Sequence, residues 1–331
     1  MKLDNINTVL VTGGAGYVGS VLTPYLISKG YQITVLDLMI YGEDVLKENK
    51  NLKIIKGDIR NKSLLKKIIP GHDAVIHLAC ISNDPSFELN PKLGQSINYD
   101  AFEPLVKLSK ESSVKRFIYA SSSSVYGIKK EKNVDELKSL EPLTDYSKFK
   151  AECEKILFNY ESNDFTTVVI RPATVCGYGV RQRLDVVVNI LTNLAYHKRK
   201  ILVFGGNQLR PNIHIEDMAR VYDTVLKAEN KLVAGQIFNA GYENQKVIEL
   251  AGIVKKVIGE DVQLDIEPSE DNRSYHISSN KIKNILKFST QKTIEDAVKD
   301  LKAAFDKKLL DNTLTNKKYF NIKMMNSINL K

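Results

Sequence analysis

Short runs of aliphatic and β-branched residues alternate with longer stretches in which apolar positions recur every three or four residues. The first pattern predicts strands and the second amphipathic helices. Strands are expected over Thr8 to Val11, Gln32 to Asp37, Leu52 to Lys56, Ala74 to Leu78, Arg116 to Ala120 and Thr167 to Arg171. Several are apolar at consecutive positions, as in a parallel sheet buried on both faces. Between Tyr17 and Lys29, Val18, Val21, Leu22, Tyr25 and Leu26 make one helical face, and Gly30 supplies a stop. Further long helices are expected from about Pro91 to Ser112 and from about Thr144 to Tyr160. Right-handed crossovers through these helices give a doubly wound sheet.

Beyond Arg171 and Pro172 the regularity weakens, with Gly- and Pro-bearing turns at Gly177, Gly179, Gly205, Gly206, Pro211 and Pro268. A smaller lobe is expected there. The division is read as residues 1–175 for the sheet domain, with 212–240 returning to it, and residues 176–211 and 241–331 for the lobe. The Asn- and Lys-rich tail from Lys307 is expected to be ordered only by docking.

Composition changes the picture little. The 331 residues are 43% hydrophobic and 26% charged, and no apolar run approaches the roughly 20 residues of a spanning helix, so no membrane insertion is expected. The formal charge of +9 comes from scattered lysines, a solvated surface more than a nucleic-acid footprint. Three cysteines without paired spacing point away from a disulfide framework or a zinc site, and hence to a reducing, cytoplasmic setting. No metal is expected.

Candidate chemistry begins at Gly13, Gly16 and Gly19, spaced by three between the first strand and first helix. In that context the backbone can approach a pyrophosphate and the helix N-terminus attracts it. Asp37 follows Gly13 by 24 residues at the end of the second strand, where a carboxylate accepts from ribose hydroxyls and repels a 2′-phosphate. NAD is therefore expected in preference to NADP. The fold class is α/β, a Rossmann-like doubly wound parallel sheet with a smaller α/β substrate-binding lobe.

Tyr146 and Lys150 are four apart and share a helix face. An ammonium beside a phenol favours phenolate, which would lower the Tyr146 pKa and make it a usable base for an alcohol proton. Ser121 to Ser124 lie at the carboxyl end of a strand, on the edge where doubly wound folds bind ligands.

With these motifs in order, the chain resembles an extended short-chain dehydrogenase/reductase of the nucleotide-sugar epimerase and dehydratase group. The matching elements are Gly13, Gly16 and Gly19; Gly57, Asp58, Ile59 and Arg60; His77 to Cys80; Asn98; Ser122 to Gly127; Tyr146 with Lys150; Arg171 with Pro172; and Arg210 with His214 to Asp217. The resemblance implies catalysis by Ser122, Tyr146 and Lys150. It implies NAD contacts from Gly13, Gly16, Tyr17, Val18, Asp37, Asp58, Ile59, Leu78, Ala79, Tyr146, Lys150 and Pro172. It also implies a nucleotide-diphosphate sugar held by Ser123, Ser124, Thr174, Arg181, Arg183 and Arg210, in a homodimer.

Departures narrow the reaction. The 4,6-dehydratases carry Asp-Glu after the catalytic hydroxyl, and Ser123 and Ser124 stand there; decarboxylases keep a Glu at position 124, and 3,5-epimerase/reductases a Cys beside the catalytic Ser. Thr174 replaces a common Asn and Cys176 a common Tyr, which leaves substrate contacts in that loop open. Arg181 and Arg183 serve either as phosphate ligands or as a solvated pair on a lobe helix. His77 and His214 read as structural. The reading is NAD-dependent C4 oxidation of a nucleotide-linked hexose or heptose, GDP-heptose among them, by a 4-epimerase or 4-dehydrogenase of surface-polysaccharide synthesis. The alternatives are a 4,6-dehydratase or 4-keto reductase of the same group, and a non-catalytic NAD-binding regulatory or RNA-binding protein.

Overall fold

The computed structural model describes residues 6–131, 133–268, 274–328 and 330, so most of the polar start of the chain lies outside it. The chain opens with β1 (Thr8–Thr12), α1 (Gly19–Ser28), β2 (Gln32–Asp37), β3 (Leu52–Lys56), α2 (Lys62–Ile68) and β4 (Ala74–His77). After β4 come α3 (Asp84–Glu88), α4 (Pro91–Gln95), a π turn over Ser96–Asp100, α5 (Phe102–Glu111) and β5 (Arg116–Ala120). A 3-10 turn at Ser123–Tyr126 then leads to α6 (Asp145–Phe158) and β6 (Thr166–Pro172).

The single helix expected from Pro91 to Ser112 is thus broken in three. The π turn swings the Asn98 amide onto the backbone of Ile81, accepting from its N–H at 2.8 Å and donating to its carbonyl at 2.9 Å. An unbroken α-helix forgoes that bulge, which ties the helix to the loop after β4.

The remainder holds β7 (Thr174–Cys176), α7 (Val187–Lys198), β8 (Lys200–Phe204), β9 (Leu209–His214), α8 (Ile215–Lys227), α9 (Asn230–Val233) and β10 (Gln236–Ala240). It ends with β11 (Glu243–Lys246), α10 (Val247–Ile258), β12 (Gln263–Glu267), α11 (Asn280–Leu286), α12 (Ile294–Asp306) and α13 (Asn321–Ser327).

Among the described residues the strands form a seven-stranded sheet in the order β3-β2-β1-β4-β5-β6-β10, a three-stranded sheet β7-β9-β11, and the pair β8-β12. Every pairing in the large sheet is parallel. Alternation along single strands explains its two covered faces. Val9 and Val11 enter one core with Leu22 and Leu26 of α1 and Val221 and Val225 of α8, while Leu10 enters the other with Leu105 of α5 and Leu157 of α6. The segment Asn212 to Lys227, read as a strand and helix returning to this sheet, divides. Its helix α8 packs beside α1, but its strand belongs to β9 in the small sheet, because β10 occupies the place beside β6. Buried Arg116 fastens the end of α8 by donating to the carbonyls of Val225, Leu226 and Ala228 at 2.6, 2.9 and 3.0 Å. A third core joins α7, α10 and α12.

The strand order reverses between β1 and β4, and a crevice opens outside their carboxyl ends.

Candidate active site

That crevice is a cleft of ≈ 540 Å³. Gly13 makes the turn after β1 with φ +75°, and a Cβ there would meet the Ala79 backbone at 2.6 Å. At Gly19 a Cβ would strike the Gly14 carbonyl at 2.5 Å, so this glycine lets α1 close onto the turn. A Cβ on Gly16 would meet only the Gly13 carbonyl, at 3.1 Å, so Gly16 leaves its side of the cleft open in front of the α1 N-terminus. This cradle fits a dinucleotide pyrophosphate. Tyr17 and Val18 also line it, although the Tyr17 hydroxyl turns away to donate to the Gly177 carbonyl at 2.6 Å.

Asp37 closes the β2 end of the cleft, accepting from the N–H groups of Ala15 at 3.0 Å and Met39 at 2.8 Å. Burial raises its pKa, against those two hydrogen bonds and the charge of Arg181. Ile59, Leu78 and Ala79 line the same half. Asp58 does not: its carboxylate is held by Arg60, whose hydrogen bonds and charge outweigh burial and keep the pKa low.

The three catalytic candidates meet in the other half, with Pro172 beside them. Thr144 caps α6 through a reciprocal pair with Ser147, which sets Tyr146 in the first turn and Lys150 one turn on. Ser122 begins the 3-10 turn, its Oγ accepting from the Ser124 N–H at 3.1 Å and lying 2.8 Å from Ser124 Oγ. Lys150 is buried, donates to the Ala120 carbonyl at 2.6 Å, and lies 5.8 Å from the Tyr146 ring centre. The expected depression of the Tyr146 pKa is not seen in this cleft. Burial pushes the phenol up, as do Cys80 and Asp84, while Arg183 and a backbone hydrogen bond from Asn83 oppose them. With Lys150 turned to a carbonyl, desolvation of the phenolate dominates.

Ser123, Ser124, Thr174, Arg181, Arg183 and Arg210 all line the cleft. The two loop arginines are not a solvated pair on a helix. They precede α7 in a buried loop, Arg183 pairing with Asp185 at 2.6 Å and Arg181 lying 3.5 Å from the Tyr41 ring centre. Arg210 lies on β9, 5.7 Å from the Tyr275 ring centre. His77 and His214 are structural: His77 Nδ1 is 2.7 Å from Thr12 Oγ1, and His214 caps α8 and meets Asp300 at 3.1 Å.

Sequence reasoning missed Tyr41, Ser82, Asn83, Asp185, Asn321 and Met325, all of which line the cleft. Each sits in a loop or the tail, where no periodicity marks a function.

The profile of the NAD-dependent epimerase/dehydratase family matches residues 9–241. The chain belongs to that family. As an extended short-chain dehydrogenase/reductase and an NAD-dependent enzyme, it shares the fold class expected from its sequence. The family member is similar to a UDP-glucose 4-epimerase of Lactobacillus helveticus, 28% identical over 84% of this chain and 90% of the relative. It is also similar to a dTDP-D-glucose 4,6-dehydratase of Bos taurus, 30% identical over 83% of this chain and 82% of the relative. A solved UDP-glucose 4-epimerase from Thermotoga maritima with UDP-glucose superposes with a TM-score of 0.81 at 25% identity, covering 92% of this chain and all of that one. Among the described residues no helix is long and apolar enough to cross a membrane.

Proposed function

We propose that the enzyme oxidises C4 of a nucleotide-diphosphate sugar, as a 4-epimerase or a 4-dehydrogenase. The observation that carries this is the placement of Ser122, Tyr146 and Lys150 in one cleft with Arg183 and Arg210, while Ser123 and Ser124 hold the positions beside the catalytic hydroxyl. Bound NAD supplies the hydride acceptor and donor. Tyr146 takes the proton of the C4 hydroxyl, Ser122 hydrogen-bonds the reacting oxygen, and Lys150, one helix turn from Tyr146, would hold the nicotinamide ribose. Arg210 and Arg183 offer charged donor forks to the diphosphate. Serines at positions 123 and 124 supply no carboxyl acid or base for expelling water, which disfavours a 4,6-dehydratase.

If the keto sugar turns over in the cleft, hydride returns to its other face and the product is the C4 epimer. If it leaves, a second oxidant resets the enzyme. The reading extends to a hexose or heptose of surface polysaccharide, GDP-heptose included, and to a homodimer in the cytoplasm. Two-fold dimers are the commonest assembly, and unpaired Cys80, Cys153 and Cys176 suit a reducing compartment.

The test offers UDP-, dTDP- and GDP-linked hexoses and heptoses to NAD-loaded enzyme, following reduced nicotinamide by absorbance and products by NMR. A C4 epimer without accumulated NADH identifies an epimerase. A stoichiometric NADH burst that turns over only with an added keto acid identifies a dehydrogenase. A 4-keto-6-deoxy product, or no product across the panel, overturns the proposal.

A further inference from the structure

The chain leaves the lobe at Tyr319, which is buried against Leu184, Leu301 and Phe305 and receives the Leu184 N–H on its carbonyl at 2.8 Å. It then crosses to the large-sheet domain, where Met325 and Leu330 pack onto the core that holds Ile59, Ile81 and Ile97. Those three side chains also line the cleft, as do Met325 and Leu330. The tail therefore spans the mouth of the cleft from one wall to the other.

Asn321 sits at the crossing and is 3% exposed. Its Oδ1 accepts from Arg181 Nη2 at 2.6 Å and from the Tyr41 hydroxyl at 3.0 Å. Its Nδ2 donates to Ser82 Oγ at 2.9 Å, and its backbone N–H donates to Asp185 at 2.7 Å. Tyr41 follows β2 and Ser82 follows β4, so one side chain sutures the two lips that flank the glycine turn. The same contact holds Arg181 against Tyr41, close enough for its charge to act on Asp37. Arg181 is 5% exposed and its Nε has no hydrogen-bond partner among the described residues. That Nε is sealed from the cleft, so Arg181 acts on the site through its charge near Asp37 and its hold on Tyr41 and Asn321.

We infer that α13 is a wall of the cofactor site, latched by Asn321, and that this latch sets how fast NAD leaves the cleft. Release requires the amide to let go of both lips and Met325 and Leu330 to leave their apolar seat. The latch does not rest on the proposed oxidation, since it concerns cofactor release alone.

The experiment compares the full chain with Asn321→Ala, Ser82→Ala and a chain ending at Phe320. Each is loaded with isotopically labelled NAD and desalted, and label release into excess unlabelled NAD is followed without any sugar. The full chain should keep its label through desalting, and loss of the latch should speed release about 10- to 100-fold, the effect of one to two lost buried hydrogen bonds to charged or polar partners. Circular dichroism melting checks that each variant is folded. If the truncated chain does not fold, the two point variants decide. Equal release rates overturn the latch, as does tighter NAD binding by the truncated chain, which would mean that the tail obstructs the adenosine side. A silent sugar panel with slow release in the full chain and fast release in the variants sinks the proposed reaction and leaves the latch standing.

Discussion

The Glu154 carboxylate receives two hydrogen bonds from Arg171, from Nε at 3.0 Å and from Nη2 at 2.5 Å, and both side chains are within 4% of complete burial. Glu154 lies one turn beyond Lys150 on α6, and it also accepts from Ser121, the residue before Ser122. Arg171 reaches on to the Tyr126 hydroxyl at 2.8 Å, in the 3-10 turn that Ser122 opens. The pair therefore fixes α6, the β5 exit and the β6 end relative to one another.

Glu154→Ala leaves a guanidinium uncompensated in the core and should cost about 3–5 kcal/mol of stability, more than removal of the pair as a unit. Urea unfolding of Glu154→Ala against the double variant Glu154→Leu with Arg171→Met checks this. A single-variant loss below about 1 kcal/mol would show that water reaches the pair.

Asp37 both orients the glycine turn, through the Ala15 N–H, and faces the cleft. Asp37→Ala should weaken NAD and raise the ratio of NADP to NAD affinity by about tenfold or more, since one repulsion of about 1.4 kcal/mol is tenfold. Titration of both dinucleotides by calorimetry gives the ratio, and an unchanged ratio would remove Asp37 from cofactor choice.

Tyr146 bears a raised pKa in a buried setting, and Arg183 is among the groups that pull it back down. The proposed oxidation needs the phenolate, so kcat should rise with pH. Arg183→Gln should move that rising limb to higher pH, because it withdraws a positive charge that favours the ionised form. Tyr146→Phe should lose about 10²- to 10⁴-fold in kcat and retain NAD binding. The pH profile of kcat is the measurement, and a limb that stays in place uncouples Arg183 from the base.

His77 lies under the site, and burial, aided by the charge of Lys150, pushes its pKa down to about 3. In the unfolded chain it titrates near about 6.5. Between these values the unfolded chain binds a proton that the folded one refuses, so this contribution is complete above about pH 6.5 and is lost as pH falls toward 3, by up to about 1.4 kcal/mol per unit. His77→Asn should flatten the dependence of unfolding free energy on pH over that window. An equally steep dependence in the variant would assign acid sensitivity elsewhere.

The sheet domain was largely legible, because a parallel sheet buried on both faces leaves continuous apolar runs. Gln32 to Asp37 and Arg116 to Ala120 are buried strands over those same residues, and Leu52 to Lys56 is a strand too, though a largely exposed one at the sheet edge. The glycine turn and the Tyr146 to Lys150 spacing were legible for a related reason. Each is a local device whose geometry follows from the turn or helix that carries it.

What lay beyond the sequence is contact across long separations. The π turn at Asn98 exists because its amide finds Ile81, 17 residues away, and β10 joins the large sheet in place of β9 by pairing with β6. The Asn321 amide reaches Arg181 across 140 positions and Ser82 across 239. Periodicity and motif spacing record what a residue's own helix or strand demands, and they pointed to the cofactor fold and to Ser122, Tyr146 and Lys150, which the fold brings into one cleft. The part of the cleft lined by Asn321 and Met325 was decided only when the tail was laid across two loops, since a hydrogen bond between distant side chains leaves no trace in the order of residues on either side of it.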